Sequence, residues 1–116
     1  MRIRRWVPGG LAAACWLAVL PAAAQTAMQP PPDPESGRVL AGQLCSACHL
    51  VSPQHKGPVP DSVPPFMALA ERLPQDPGDA AARLLGDPHP QMPEPPLTQA
   101  QLLDVAAYIL SLKGTR

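Results

Sequence analysis

Residues 45–49 read CSACH, which places two cysteines two residues apart and a histidine directly after the second. The 116-residue chain contains only one other cysteine, Cys15. A disulfide between Cys45 and Cys48 would close a very small loop and would restrict the unfolded chain little, so it would stabilise a fold poorly. The spacing therefore argues for another use of the two thiols.

The C-x-x-C-H pattern is the sequence signature of covalent haem c attachment. Each thiol adds to one haem vinyl group, and the adjoining imidazole reaches the iron from the same side. We therefore expect Cys45 and Cys48 to hold one haem c, and His49 to be an axial ligand of its iron. The alternatives are a thioredoxin-like redox pair, which would sit near a βαβ pattern that this sequence lacks, and a zinc site. Zinc would need His55 and His89 as further ligands, without the usual paired spacing.

The first 24 residues have the features of a secretory signal peptide. A basic start precedes the apolar run LAAACWLAVL at residues 11–20, and small residues follow up to Ala24. The apolar run is too short to span a bilayer, which takes about 20 residues, so we expect cleavage after Ala24 and no stable membrane insertion afterwards. Cys15 lacks the usual large aliphatic residue three positions before a lipidated cysteine. The sequence thus predicts a periplasmic protein.

Removal of residues 1–24 would leave 92 residues, which suit one small domain. Six Lys and Arg residues would then face nine Asp and Glu residues, and the formal charge of −3 argues against binding to nucleic acid or to an anionic membrane surface. Phe66 and Tyr108 would be the only Phe, Tyr or Trp residues left. A chain with so few large side chains has difficulty burying enough apolar surface alone, so the haem would supply the missing core.

The apolar spacing along the chain is helical, and no segment alternates with period two for long enough to form a strand. The sequence therefore predicts an all-α domain at residues 34–116, with about four short helices wrapped around the haem, after a Pro-rich flexible leader at residues 25–33. Proline is too dense for regular structure at residues 50–65 and 87–96. The expected helix starts are Asp33 with Pro34, Pro65, Asp76 with Pro77, and a capping box of Thr98 and Gln101.

With this motif and these helices, the sequence resembles the class I c-type cytochromes, which are small haem electron carriers with His/Met-ligated iron. The resemblance covers about residues 34–113. It implies that Pro58, in the stretch KGP, provides the carbonyl that accepts a hydrogen bond from the proximal imidazole. It also implies that the first and last helices cross at Gly37 and Tyr108, with Ala41 replacing the aromatic residue that usually accompanies the glycine.

Met92, in the stretch PQMPEPPL, lies where this family places its distal methionine, just ahead of the last helix. A thioether is a soft ligand that favours reduced iron and raises the potential, and the surrounding prolines would hold it without a helix. His89 is the main competitor, because imidazole also binds haem iron well and would lower the potential. Met67, in an apolar helix, and Met28, in the leader, are weaker candidates, since methionine commonly fills a core.

A haem whose axial positions are both filled by the chain has no site for a substrate, so the sequence predicts an electron carrier and not an enzyme. It would pass single electrons in the periplasm between redox partners such as a membrane complex, a dehydrogenase or a terminal acceptor. Two alternatives stay open. The bond to Met92 could be labile, which would give a peroxidase or a gas sensor, or the chain could be the cytochrome subunit of a larger dehydrogenase complex.

Overall fold

The computed structural model describes residues 28–86 and 95–115 of the chain. Within these ranges the regular structure consists of four α-helices and no strand, so the prediction of an all-α domain is confirmed. The longest helix has 13 residues, and no helix in this part of the chain is both long and apolar enough to cross a membrane. The helices are α1 (Pro34–Leu44), α2 (Phe66–Arg72), α3 (Pro77–Gly86) and α4 (Gln99–Ser111).

The helices begin where the sequence predicts, and side chains satisfy the first backbone N–H groups of α1 and α4. The Asp33 carboxylate accepts a hydrogen bond from the backbone N–H of Glu35 at 3.0 Å and so caps α1. At the start of α4, the Thr98 hydroxyl accepts from the backbone N–H of Gln101 at 3.2 Å, and the Gln101 side chain accepts from the N–H of Thr98 at 2.9 Å. This reciprocal pair is the predicted capping box.

Helix α4 contacts each of the other three helices and supplies more core residues than any of them. The helical spacing of its apolar residues in the sequence predicts one buried face, and every residue of that face is buried. These residues are Leu102, Val105, Ala106, Ile109 and Leu112.

Helix α1 crosses α4 at Gly37 with the two backbones in contact. A Cβ atom at Gly37 would overlap the carbonyl oxygen of Asp104 and would lie 2.8 Å from the Cβ of Tyr108, closer than real Cβ atoms approach. One turn earlier, the backbone N–H of Asp33 donates to the Asp104 carboxylate at 2.7 Å. The predicted crossing of Gly37 with Tyr108 is therefore confirmed.

The close approach also determines which face of α1 is buried. Gly37 and Ala41 are the buried residues of this helix, whereas Val39 is 46% exposed and Leu44 is 44% exposed. The sequence pattern groups Val39 and Leu44 with Leu40 on one apolar side, but the structure leaves Leu40 only half-buried. Small residues face α4 because larger side chains would hold the two helices apart.

Tyr108 links α4 to the loop that follows α1. Its hydroxyl is buried and donates a hydrogen bond to the carbonyl oxygen of Val51 at 2.8 Å. Burial raises the pKa of the Tyr108 phenol, so the hydroxyl keeps its proton and remains a donor at neutral pH. This hydrogen bond ties the first part of the loop to the C-terminal part of α4.

We predict that Gly37→Ala lowers the free energy of unfolding of the haem-loaded protein by about 1–3 kcal/mol, because the added methyl group overpacks the helix crossing. Gly42→Ala is the matched control in the same helix, since a Cβ atom there meets no heavy atom within 4 Å. The control should raise the free energy of unfolding by about 0.5–1 kcal/mol, because alanine favours the helix over glycine. Denaturant unfolding measures both, and equal effects of the same sign would contradict the prediction.

We predict that Tyr108→Phe lowers the free energy of unfolding by about 1–3 kcal/mol, because the buried carbonyl of Val51 loses the donor that Tyr108 provides. The control is Ser111→Ala, which removes an exposed hydroxyl that donates to the Tyr108 carbonyl within α4. Its effect should stay within about 0.5 kcal/mol. Thermal and denaturant unfolding of both variants test the difference, and an unaltered Tyr108→Phe protein would refute it.

Candidate functional site

The C-x-x-C-H residues form a single compact turn at the end of α1. Cys45 caps the helix, and its backbone N–H donates to the carbonyl of Ala41 at 2.9 Å. The carbonyl of Cys45 then accepts from the N–H groups of Cys48 and His49, at 3.1 and 2.9 Å. No disulfide joins the two cysteines, and Cys45 is half-buried while Cys48 is exposed. The turn brings together the two thiols and the imidazole that the sequence singles out.

The surroundings of Cys45 differ from those of a redox-active cysteine. Burial raises the pKa of its thiol, and the neighbouring Cys48 adds to this effect. Reactive cysteines in thioredoxin-like sites have lowered pKa values, so the structure does not favour that alternative. No group of three or more His, Cys, Asp or Glu side chains is arranged to hold a metal ion within residues 28–86 and 95–115.

The His49 side chain is 7% exposed and held by the backbone of the following loop. Its Nδ1 atom lies 2.8 Å from the carbonyl oxygen of Pro64. A carbonyl can only accept, so Nδ1 carries the proton and donates, which places the ring's lone pair on Nε2. This is the tautomer in which a histidine binds a metal through Nε2 while its other nitrogen is held by a hydrogen bond.

The prediction that Pro58 accepts this hydrogen bond is wrong, because the acceptor is Pro64. The loop makes two turns before it returns to the imidazole, closed by hydrogen bonds from the N–H groups of His55 and Val63, each 3.1 Å long. Pro58 lies between these turns and is exposed. Pro58 therefore matches the Gly-Pro pattern of the family in sequence. In the structure, however, the carbonyl of Pro64 accepts the hydrogen bond from His49.

One aromatic ring lies beside His49, and a second lies beside the first. The ring of Phe66 lies 5.3 Å from the imidazole, centroid to centroid, at an angle of 54°. The ring of Tyr108 lies 6.4 Å from that of Phe66, at 59°. Sequence reasoning missed Pro64 and Phe66 as site residues. The available signal was that the chain's only phenylalanine follows two prolines at the end of the loop.

The residues present fit a covalently bound haem. The two thiols and the imidazole are the donor set for attachment and ligation, and they lie on one turn. Cys45 also belongs to a set of half-buried apolar residues that pack against the edge of the core, so an apolar group attached to its sulfur would extend that core. The other members of the set are Leu40, Met67, Leu69, Leu84, Leu97, Leu103 and Leu110.

Several predicted features lie outside the described residues. Met92, the predicted distal ligand, and His89, its competitor, are among them. The predicted signal peptide, residues 1–24, is also outside. Met67 is described, and it is half-buried on α2 and packs against the core, as expected for a methionine that fills space.

Comparison with known proteins identifies the family. The family model for cytochrome c matches residues 34–113. A curated protein named cytochrome c-552, from Bradyrhizobium diazoefficiens, is 38% identical over 81 residues, which cover 70% of this chain and 76% of the relative. No solved structure matches the chain significantly. The chain therefore belongs to the cytochrome c family as a class I c-type cytochrome, an electron-transfer protein with covalently bound haem c.

Proposed function

We propose that Cys45 and Cys48 bind the haem through thioether bonds, and that His49 and Met92 are the two axial ligands of its iron. The protein then acts as a periplasmic carrier of single electrons. The observation that carries this proposal is the turn at residues 45–49, in which both thiols lie beside an imidazole whose Nδ1 donates to the Pro64 carbonyl at 2.8 Å.

When bound, the haem supplies one-electron chemistry, and the chain sets its surroundings. His49 would present the lone pair of Nε2 to the iron, because its Nδ1–H donates to the Pro64 carbonyl. The acceptor is an uncharged carbonyl and not a carboxylate, so it increases the electron donation of Nε2 to a metal less than a carboxylate would. The half-buried apolar side chains that pack with Cys45 against the core would offer an apolar surface to the group.

Met92 completes the proposed ligand set from the segment before α4. A methionine thioether stabilises reduced iron relative to oxidised iron, which suits a carrier that accepts and releases electrons at a raised potential. Both axial positions are then occupied by the chain. This leaves no coordination site for a substrate, in keeping with a carrier and not an enzyme.

The proposed location and domain boundaries rest on the sequence. Residues 1–24 have the pattern of a signal peptide, residues 25–33 form a Pro-rich leader, and residues 34–116 form the haem domain. After cleavage the formal charge would be −3, which disfavours binding to nucleic acid or to an anionic membrane. The protein would instead interact with redox partners in the periplasm. These partners would be a membrane complex, a dehydrogenase or a terminal acceptor.

We predict that Cys48→Ser retains covalent haem through Cys45 but shifts the α-band of the pyridine haemochrome to longer wavelength, because one vinyl group stays unsaturated. The double variant, with Cys45→Ser added, should carry no covalent haem. No haem should then migrate with it on a denaturing gel. Ser46→Ala is the control within the same turn, since it removes only a hydroxyl that donates to the Gly42 carbonyl. Covalent haem in the double variant would exclude these two residues as the attachment sites.

We predict that Met92→Ala abolishes the weak near-infrared band of methionine sulfur bound to ferric haem, because the thioether ligand is removed. Met67→Leu is the matched control and should keep the band, since Met67 packs against the core. The optical spectrum of the oxidised, haem-loaded protein measures both variants beside the parent.

A parent protein without this band would contradict ligation by Met92. Rapid binding of carbon monoxide to the reduced parent would then support a labile sixth position, and thus a peroxidase or gas sensor. A parent that lacks the band and binds carbon monoxide slowly would support His89 as the sixth ligand.

A further inference from the structure

We propose that the exposed side of α1, together with the start of α4, is the surface on which a cationic redox partner docks. The inference rests on the proposed function, because it concerns the partner of an electron carrier. It goes further by naming the surface and the chemistry of the partner, a protein that surrounds an exposed apolar side chain with lysine or arginine. We call this surface the α1 face; its residues are Asp33, Glu35, Val39, Leu40, Leu44 and Asp104.

The α1 face is apolar along its length. Val39 and Leu44 are two of the three large apolar residues that are exposed in the described part of the chain, and the third, Met28, lies in the leader. Leu40, one turn before Leu44, is half-buried. Exposed apolar side chains that lie together on one helix are typical of a contact surface. Leu44 directly precedes Cys45, so a partner on this face would stand beside the turn to which the haem is attached.

Carboxylates border these apolar side chains. A hollow between α1 and α4 is lined by two apolar and three acidic residues, namely Val39, Leu40, Asp33, Glu35 and Asp104. Two of the acidic residues are held next to each other, since the backbone N–H of Asp33 donates to the Asp104 carboxylate at 2.7 Å. An apolar centre with a charged border is the arrangement found in protein–protein interfaces.

The charge of the α1 face determines the sign of the partner. Arg38 is the only basic residue of α1, its Nε lies 2.9 and 3.0 Å from the carboxylate oxygens of Glu35, and the sequence of α4 contains no basic residue. Three carboxylates and one guanidinium leave a formal charge of −2. Exposed carboxylates attract a cationic surface and speed its encounter, whereas the apolar side chains supply contact area. A partner with lysine or arginine around an apolar side chain complements both features.

The test compares oxidation of the reduced, haem-loaded protein by two complexes of opposite charge. Tris(1,10-phenanthroline)cobalt(III) is a trication with aromatic ligands, and hexacyanoferrate(III) is a polar trianion. Each accepts one electron from ferrous haem iron, which becomes ferric. At an ionic strength of about 0.01 M, we expect Glu35→Gln to lower the second-order rate constant with the cobalt complex roughly two- to threefold, without lowering that with hexacyanoferrate(III).

Asp79→Asn is the matched control for the charge. It also removes one negative charge, but from the first turn of α3, which has no contact with α1 among the described residues. It should leave both rate constants nearly unchanged.

Val39→Ser tests the apolar contribution. We expect it to lower the rate constant with the cobalt complex about twofold, because less apolar surface is buried in the encounter complex. This effect should persist at about 1 M salt, where the Debye length is about 3 Å and the effect of Glu35→Gln should disappear. Both altered side chains are exposed, and unchanged melting temperatures would show that the variants fold.

The redox-inert, paramagnetic tris(1,10-phenanthroline)chromium(III) locates the site, because it broadens the amide signals of the residues that it contacts in the ferrous protein. Broadening should centre on Val39 and Leu40. Broadening centred elsewhere would overturn the inference, including the case in which a segment of this chain outside the described residues covers the α1 face.

Equal effects of Glu35→Gln and Asp79→Asn would also overturn the inference, because total charge alone would then account for them. Concentration-dependent dimerisation that Val39→Ser abolishes would overturn it too, since the α1 face would then bind a second copy of the chain. Failure of the proposed function is distinguishable, because a parent protein that is not an electron carrier would be oxidised slowly by both complexes.

Discussion

The contact between α1 and α4 at Gly37 is the constraint on which the site depends. Because the backbones touch there, the end of α1 is placed relative to α4, and the turn that carries Cys45 and His49 follows directly from it. The same helix α4 holds Tyr108 against the next loop. The crossing of α1 with α4 therefore positions both the CSACH turn and the loop that holds His49. A change in the crossing would move the two thiols relative to this loop.

Local chemistry made much of this protein predictable. The C-x-x-C-H motif, the cap of α1 by Asp33 and the capping box of α4 depend on residues within a few positions of one another, and each is visible in sequence. The partner of His49 is different, because an irregular loop gives no period from which to count. Pro58 follows a glycine as expected, but the loop makes a further turn after it, and the Pro64 carbonyl accepts the hydrogen bond from His49. Phe66 was missed for the same reason.

The burial of α1 shows a second limit of pattern reading. Its larger apolar residues, Val39 and Leu44, are about half exposed, while glycine and alanine face α4. Apolar periodicity identifies the helix face with the largest hydrophobic side chains. At a close helix crossing, the buried face is instead the one with the smallest side chains. The resemblance to known cytochromes predicted the crossing, whereas periodicity alone favoured the other face.

The hydrogen bond between Asp33 and Asp104 joins residues 71 positions apart, and Gly37 lies against the same late segment. The native packing of the helix that leads to the cysteines therefore depends on a segment far along the chain. The CSACH turn cannot reach its final position until α4 has formed and packed against Gly37.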